Sequence, residues 1–174
     1  MPARPLLPAV LFSTLMLAGL GGCASYTGGG LTPGVSTETD TRATMGTPFA
    51  VHKAPPGADY AESLEYPHGP AGRQTYMARF DAGGKLVRVE QVLTEQTVAK
   101  IRIGVDNMQS VSALLGRPGQ NTGPSRQYGG AVWDYYANDM QRHIILSVSF
   151  DRSGVVTAAG WMDDPMDFVP DGSM

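Results

Sequence analysis

The 174-residue chain has one cysteine and three histidines, and only 17% of its residues are charged. A single cysteine excludes an internal disulfide and any multi-cysteine metal site. His52, His68 and His143 stand at no metal-binding spacing, so they read as ordinary surface residues and no metal centre is expected. No two Lys or Arg residues are adjacent and the net charge is -3, which argues against a nucleic-acid-binding surface. Nothing pairs a nucleophile with a base. Cys23 has another use, Gly28-Gly29-Gly30 lacks the Gly-Lys-Ser/Thr of a phosphate loop, and Asp163-Asp164 and Asp81/Asp151 read as a solvated tail and turn starters. The expectation is a non-enzyme without cofactor. The chain does have 42% hydrophobic residues, Gly 22 and Pro 13, enough for a packed core broken by many turns.

The first of these features lies at the start. Arg4 is the only charged residue before Glu38, and an apolar stretch centred on Ala9–Phe12 and Leu15–Ala18 follows it. A positive start and a short apolar run ending in small residues make a secretory signal. Pro5, Pro8 and the Gly19–Gly22 stretch spoil it as a spanning helix. Leu20-Gly21-Gly22-Cys23 resembles the bacterial lipobox, with cleavage between Gly22 and Cys23 and a thioether-linked diacylglyceryl group on the Cys23 sulfur. Two or three acyl chains hold a protein on a bilayer where one would not, since each buried methylene adds about 0.8 kcal/mol. Ala24 stands where an Asp favours inner-membrane retention, so the resemblance implies the outer membrane, facing the periplasm. Residues 1–22 are thus expected as signal peptide and 23–33, rich in Gly, Ser and Thr, as a flexible tether.

Sliding the chain against itself by 70 residues, Gly34 onto Gly104, aligns Val35/Val105, Ala43/Ala113, Gly46/Gly116, Pro48/Pro118, Ala61/Ala131, Tyr66/Tyr136, Phe80/Phe150, Asp81/Asp151 and Gly84/Gly154. The identities cluster at a helix entry, a helix exit and a hairpin turn, where backbone geometry dictates residue type. In the second copy a short helix spans 94–102, and Asp106 caps a helix over 107–115 that Gly116 and Pro118 end. An irregular stretch runs from 119 to 130, and strands follow at 132–137, 144–150 and 155–161. In the first copy the helix over 36–45 is marginal on propensity. The fold class is therefore α+β: two tandem units, each with one or two short helices packed on a three- to four-stranded antiparallel sheet. The units span 34–92 and 93–162, and an acidic, disordered tail covers 163–174.

Ile101-x-Ile103-Gly104, Val111, Leu115-Gly116-Arg117-Pro118, Val132-Trp133-Asp134-Tyr135-Tyr136 and Leu146–Asp151 with Gly154-Val155-Val156 together resemble the SmpA/OmlA domain of BamE-like outer-membrane lipoproteins. The resemblance covers 100–162 well and 31–92 only through the repeat. It implies a non-catalytic accessory role in assembling β-barrel proteins, with an envelope protein, such as the β-barrel assembly machinery, as partner. The tandem arrangement also resembles secreted β-lactamase-inhibitory proteins, which implies the alternative of a lipid-tethered inhibitor or ligand-binding module. Trp133, Tyr135 and Trp161 are the candidate partner-binding residues, on the expectation that they stand on the open face of the sheet.

Overall fold

The capping chemistry of two eight-residue helices organises the fold. The computed structural model describes residues 25–69, 72–123, 129–139 and 142–168; the segment expected as a signal peptide, with Gly22, and Cys23 and Ala24 lie outside the described residues. Helix α1 (Glu38–Met45) begins at Thr37, whose hydroxyl accepts the Asp40 amide while the Asp40 carboxylate accepts the Thr37 amide. Helix α3 (Met108–Leu115) begins at Asn107, with Ser110 completing the same reciprocal box. The expected cap, Asp106, is one residue early. Its carboxylate is spent on the Arg102 amide and guanidinium, at 2.7 and 2.8 Å, closing the preceding turn and leaving the next residue to cap. Ser36 closes the corresponding turn in the first unit through the Thr32 amide.

Each helix is followed by four antiparallel strands in sequential order. The first sheet holds β1 (Ala50–Lys53), β2 (Glu62–His68), β3 (Gln74–Phe80) and β4 (Leu86–Gln91). The second holds β5 (Gln120–Thr122), β6 (Val132–Asp139), β7 (Arg142–Phe150) and β8 (Val156–Asp163). Between the sheets lies α2 (Glu95–Val98), shorter than the helix expected over 94–102. The stretch read as irregular after Gly119 contains β5, a strand too short and too polar to show in hydrophobic alternation. The two sheets share a further detail: the register breaks between Arg79 and Phe80 in one and between Ser149 and Phe150 in the other.

Helices this short are unstable alone and hold only by packing. Met45 of α1 is buried with Leu64, Tyr66, Ala78, Phe80 and Leu86; Val111 and Leu115 of α3 are buried with Leu93, Tyr135, Leu146, Val148 and Phe150. Tyr66 donates its hydroxyl to the Gly46 carbonyl just past α1, and Tyr135 does the same to Gly116 past α3, at 3.3 and 3.2 Å. The residue playing the part of Tyr66 is thus Tyr135, where the ungapped alignment expects Tyr136. β2 and β6 correspond at a shift one residue short of that relating β3 and β7, because Tyr66 faces Tyr76 while Tyr135 faces Leu146.

The described residues at either end, from Ser25 and up to Phe168, are more ordered than expected. The segment read as a flexible tether packs on the first unit from Ser25 onward: the Ser25 amide donates to the Thr44 carbonyl and Leu31 packs against the core. At the other end Asp164 is buried and Pro165–Phe168 forms a 3-10 turn, while 169–174 of the expected disordered tail lie outside the described residues. No helix among the described residues is long and apolar enough to cross a membrane.

Gly46 and Gly116 occupy the same position past their helices, at φ 89° and 82°, in a region that side chains rarely adopt. A Cβ on Gly46 would meet nothing within 4 Å, whereas one on Gly116 would come within 2.8 Å of the buried Glu65 carboxylate. Gly46→Ala is expected to cost about 1–3 kcal/mol of backbone strain. Gly116→Ala is expected to cost clearly more; urea unfolding of the two variants checks the difference.

Candidate interaction surfaces and the seam between the units

The side-chain alternation of β2, β3 and β4 leaves a polar second face on the first sheet, carrying Ser63, Glu65, Thr75, Met77, Arg79, Arg88 and Glu90. Ser63, Glu65, Thr75, Met77 and Arg79 are nonetheless buried. The second unit covers them. Arg79, 1% exposed, donates Nη1 to the Ala113 carbonyl at 2.8 Å and Nη2 to the Leu114 carbonyl at 3.1 Å. Those are carbonyls of the last turn of α3, which have no partner within the helix, and a cation suits the negative end of the helix dipole. The same guanidinium donates Nε to Glu90 at 2.9 Å and Nη1 to the Tyr60 hydroxyl at 2.7 Å, and it stacks over the Tyr60 ring.

Glu65 receives the chain beyond that helix. One carboxylate oxygen accepts the Arg117 amide at 2.9 Å, and the other lies 2.7 Å from His52 Nε2. His52 is thus no ordinary surface residue; it is a half-buried partner of a buried carboxylate. His68 stacks on Tyr26, and the His143 carbonyl accepts the Asp164 amide. A second clamp closes the far end of the seam. Arg73, in the β2–β3 connection, donates to the Ala137 carbonyl and forms a 2.7 Å ion pair with Asp164. Asp164, read as part of a solvated tail, is therefore a structural anchor.

Burial opposes ionisation of Glu90, yet Arg79 and Arg88 together hold its carboxyl below the usual carboxylate range. Arg73 and the Met166 amide do the same for Asp164. Burial pushes the Tyr135 phenol far up, and the nearby Glu65 charge adds to it.

The register places the candidate aromatic residues on the face opposite to the one expected. Trp133 lies opposite Val148 and Tyr135 opposite Leu146, with Trp161 next to Leu146 on the other side, so all three share the helix-covered face. Tyr135 is 1% exposed; Trp133 meets the Phe150 ring edge-on at 4.9 Å, and Trp161 is half-buried against the core. The physical reason is the odd-even alternation of a strand, in which a slip of one residue turns every side chain over. The aromatic residue on the open face is Tyr136, whose hydroxyl donates to Gln120 beneath the Arg73 guanidinium. Beside it that face carries Ile145 and Met162, and further along Asp134 and small residues: Ser147, Ser149, Ala158 and Gly160. Where the first sheet has Arg79, the second has Ser149. Its Asp134 is held by the Ser147 hydroxyl.

These elements of the second unit, from α2 into β8, are similar to a known family. Residues 90–160 match the outer membrane protein assembly factor BamE domain. The match begins at the end of β4 and stops within β8, so the first sheet lies outside it except for Glu90 and Gln91. No protein of curated description matches the chain, and no solved structure matches it. Among the described residues, no group of three or more His, Cys, Asp or Glu side chains is placed to hold a metal ion.

Sequence inspection missed Glu65, Arg79 and Arg73. The available signal was a lone charge between core residues: Leu64-Glu65-Tyr66 and Ala78-Arg79-Phe80. Arg79→Met would leave two carbonyls of α3 without their partner and the Glu90 carboxylate with Arg88 alone. A loss of about 3–5 kcal/mol in urea unfolding is expected, as for one half of a buried ion pair.

The pH dependence follows from the lowered carboxylates. The stability contributed by Glu90 and Asp164 is complete above their ordinary unfolded values near 4 and is lost as pH falls through their lower folded values. The melting temperature should therefore drop between about pH 4.5 and 3, and less steeply in Arg73→Met; thermal unfolding across that range checks it.

Proposed function

We propose that this chain is an outer-membrane lipoprotein, cleaved between Gly22 and Cys23 and lipidated on Cys23, that faces the periplasm and assists the assembly of outer-membrane β-barrel proteins by contact alone. The observation that carries this reading is the match of 90–160 to the assembly factor BamE domain. The lipobox-like Leu20-Gly21-Gly22-Cys23 supports the anchor, and Ala24 supports the outer membrane over the inner.

The chain carries two BamE-like units in tandem on this reading, 34–92 and 93–162. Support comes from the shared strand order, the paired capping boxes and the equivalent tyrosine-to-glycine bonds. The partner is a protein of the envelope, and the surface left for it on the second unit is the open face around Tyr136 and Asp134. Tyr135 is too deeply buried to contribute directly. Trp133 and Trp161 shape that sheet from beneath and reach solvent only in part.

Two measurements test the proposal. Cys23→Ser should abolish acyl labelling and move the protein from the membrane fraction to the soluble periplasm; unchanged maturation and fractionation would overturn the anchor. Affinity purification of the wild-type chain from detergent-solubilised envelopes should recover the β-barrel assembly machinery. Recovery of a single soluble enzyme in its place would make the chain a tethered inhibitor.

A further inference from the structure

The segment that follows the lipidation site is fastened to the body of the protein almost from its first residue. The Ser25 amide donates to the Thr44 carbonyl at the end of α1, at 3.0 Å. The Tyr26 ring lies 4.1 Å from that of His68 at the end of β2. Gly28 then turns at φ +73° so close to β4 that a Cβ would come within 2.9 Å of Val89. Only Ala24 stands between Ser25 and Cys23. Two residues of extended chain span at most about 7 Å, where a free tether of ten would reach about 35 Å.

We propose that this short leash fixes which end of the molecule lies on the bilayer, an inference that rests on the lipidation of Cys23 argued above. The membrane end is the one where α1 finishes and β2 turns into β3. Through the bonds of Arg73 to Ala137 and Asp164, the β6–β7 end of the second sheet lies at this end too. Tyr26, Phe49, Met162 and Met166 are exposed here, the last 76%, while Val35, Ile103 and Val105 are exposed at the opposite end, so the leash rather than apolar exposure selects the membrane end. A half-exposed tyrosine suits the headgroup layer, and the methionines suit the shallow apolar boundary beneath it. The opposite end of the first sheet is the β3–β4 hairpin Asp81–Gly84, bound to the start of α1 through the Thr37–Lys85 bridge. Since β3 has seven residues, the two ends stand about 23 Å apart. The occupant of the rim is a lipid surface, and the hairpin end projects into the periplasm.

The test uses the full lipidated chain in vesicles of phosphatidylethanolamine and phosphatidylglycerol doped with a nickel-chelating lipid. A fluorophore is placed on Thr47→Cys, just past α1, or on Ala82→Cys in the hairpin. Quenching several-fold stronger at position 47 than at 82 is expected; equal or reversed quenching overturns the orientation. Flotation with the vesicles is scored first, and failure to float would sink the anchor itself together with the orientation. A third variant separates docking from mere attachment. Gly28→Val should dislodge the segment and erase the difference between the two labels while the unfolding midpoint of the body stays near wild type. A contrast that survives Gly28→Val, with the variant still floating, would also overturn the proposal.

Discussion

The arrangement of the two units depends on one buried cation. Arg79 is where the second face of the first sheet meets the blunt end of α3, and it satisfies two carbonyls that the helix cannot satisfy itself. A guanidinium taken out of water is costly unless all its donors are used. Here Glu90, the Tyr60 hydroxyl and the two carbonyls use them, with the Tyr60 ring against its plane. Glu65 supplies the opposite sign two strand positions away, receiving the Arg117 amide and pairing with His52. Directional bonds of this kind define an angle between the units that a greasy contact would leave loose.

This explains an asymmetry between the two sheets. Each is covered on one face by its own helix. The first is covered on the other by the helix of the second unit, and that face carries charged residues to receive it. The corresponding face of the second sheet has Tyr136, Ile145 and Met162 beside serine, alanine, glycine and one aspartate, with Ser149 where the first has Arg79. At the other end of the chain, the carbonyl of Thr44 in α1 corresponds to that of Leu114 in α3. The first is taken by Ser25 and the second by Arg79, so the segment beginning at Ser25 does for α1 what the first sheet does for α3.

Much of this architecture was legible in the sequence where backbone geometry dictates residue type. Gly46 and Gly116 ending helices, and Asp81 and Asp151 opening hairpins, are positions with few alternatives. Both aspartates do accept the amides two and four residues on. The helix cap was displaced by one residue because Asp106 and Asn107 are both good caps, and only the competing bond to Arg102 decides between them. The seam was hidden for a different reason. Its residues are polar, and a polar residue in an amphipathic strand reads as facing water; burial by another part of the chain leaves no periodic trace. The aromatic residues were assigned to the wrong face because an alternating pattern reports which side chains go together and stays silent on which group faces the core.

The displacement of β6 carries a lesson about how such strands tolerate change. The connection ahead of it is one residue shorter than the one ahead of β2, and the hairpin after it is one residue longer. The two length changes cancel, so β7 and β8 keep their phase with β3 and β4 while the strand between is re-threaded by one position. Insertions and deletions in loops can thus act as a vernier on a single strand, choosing afresh which of its residues are hidden. Any comparison of such strands that forbids gaps will read one of them inside out.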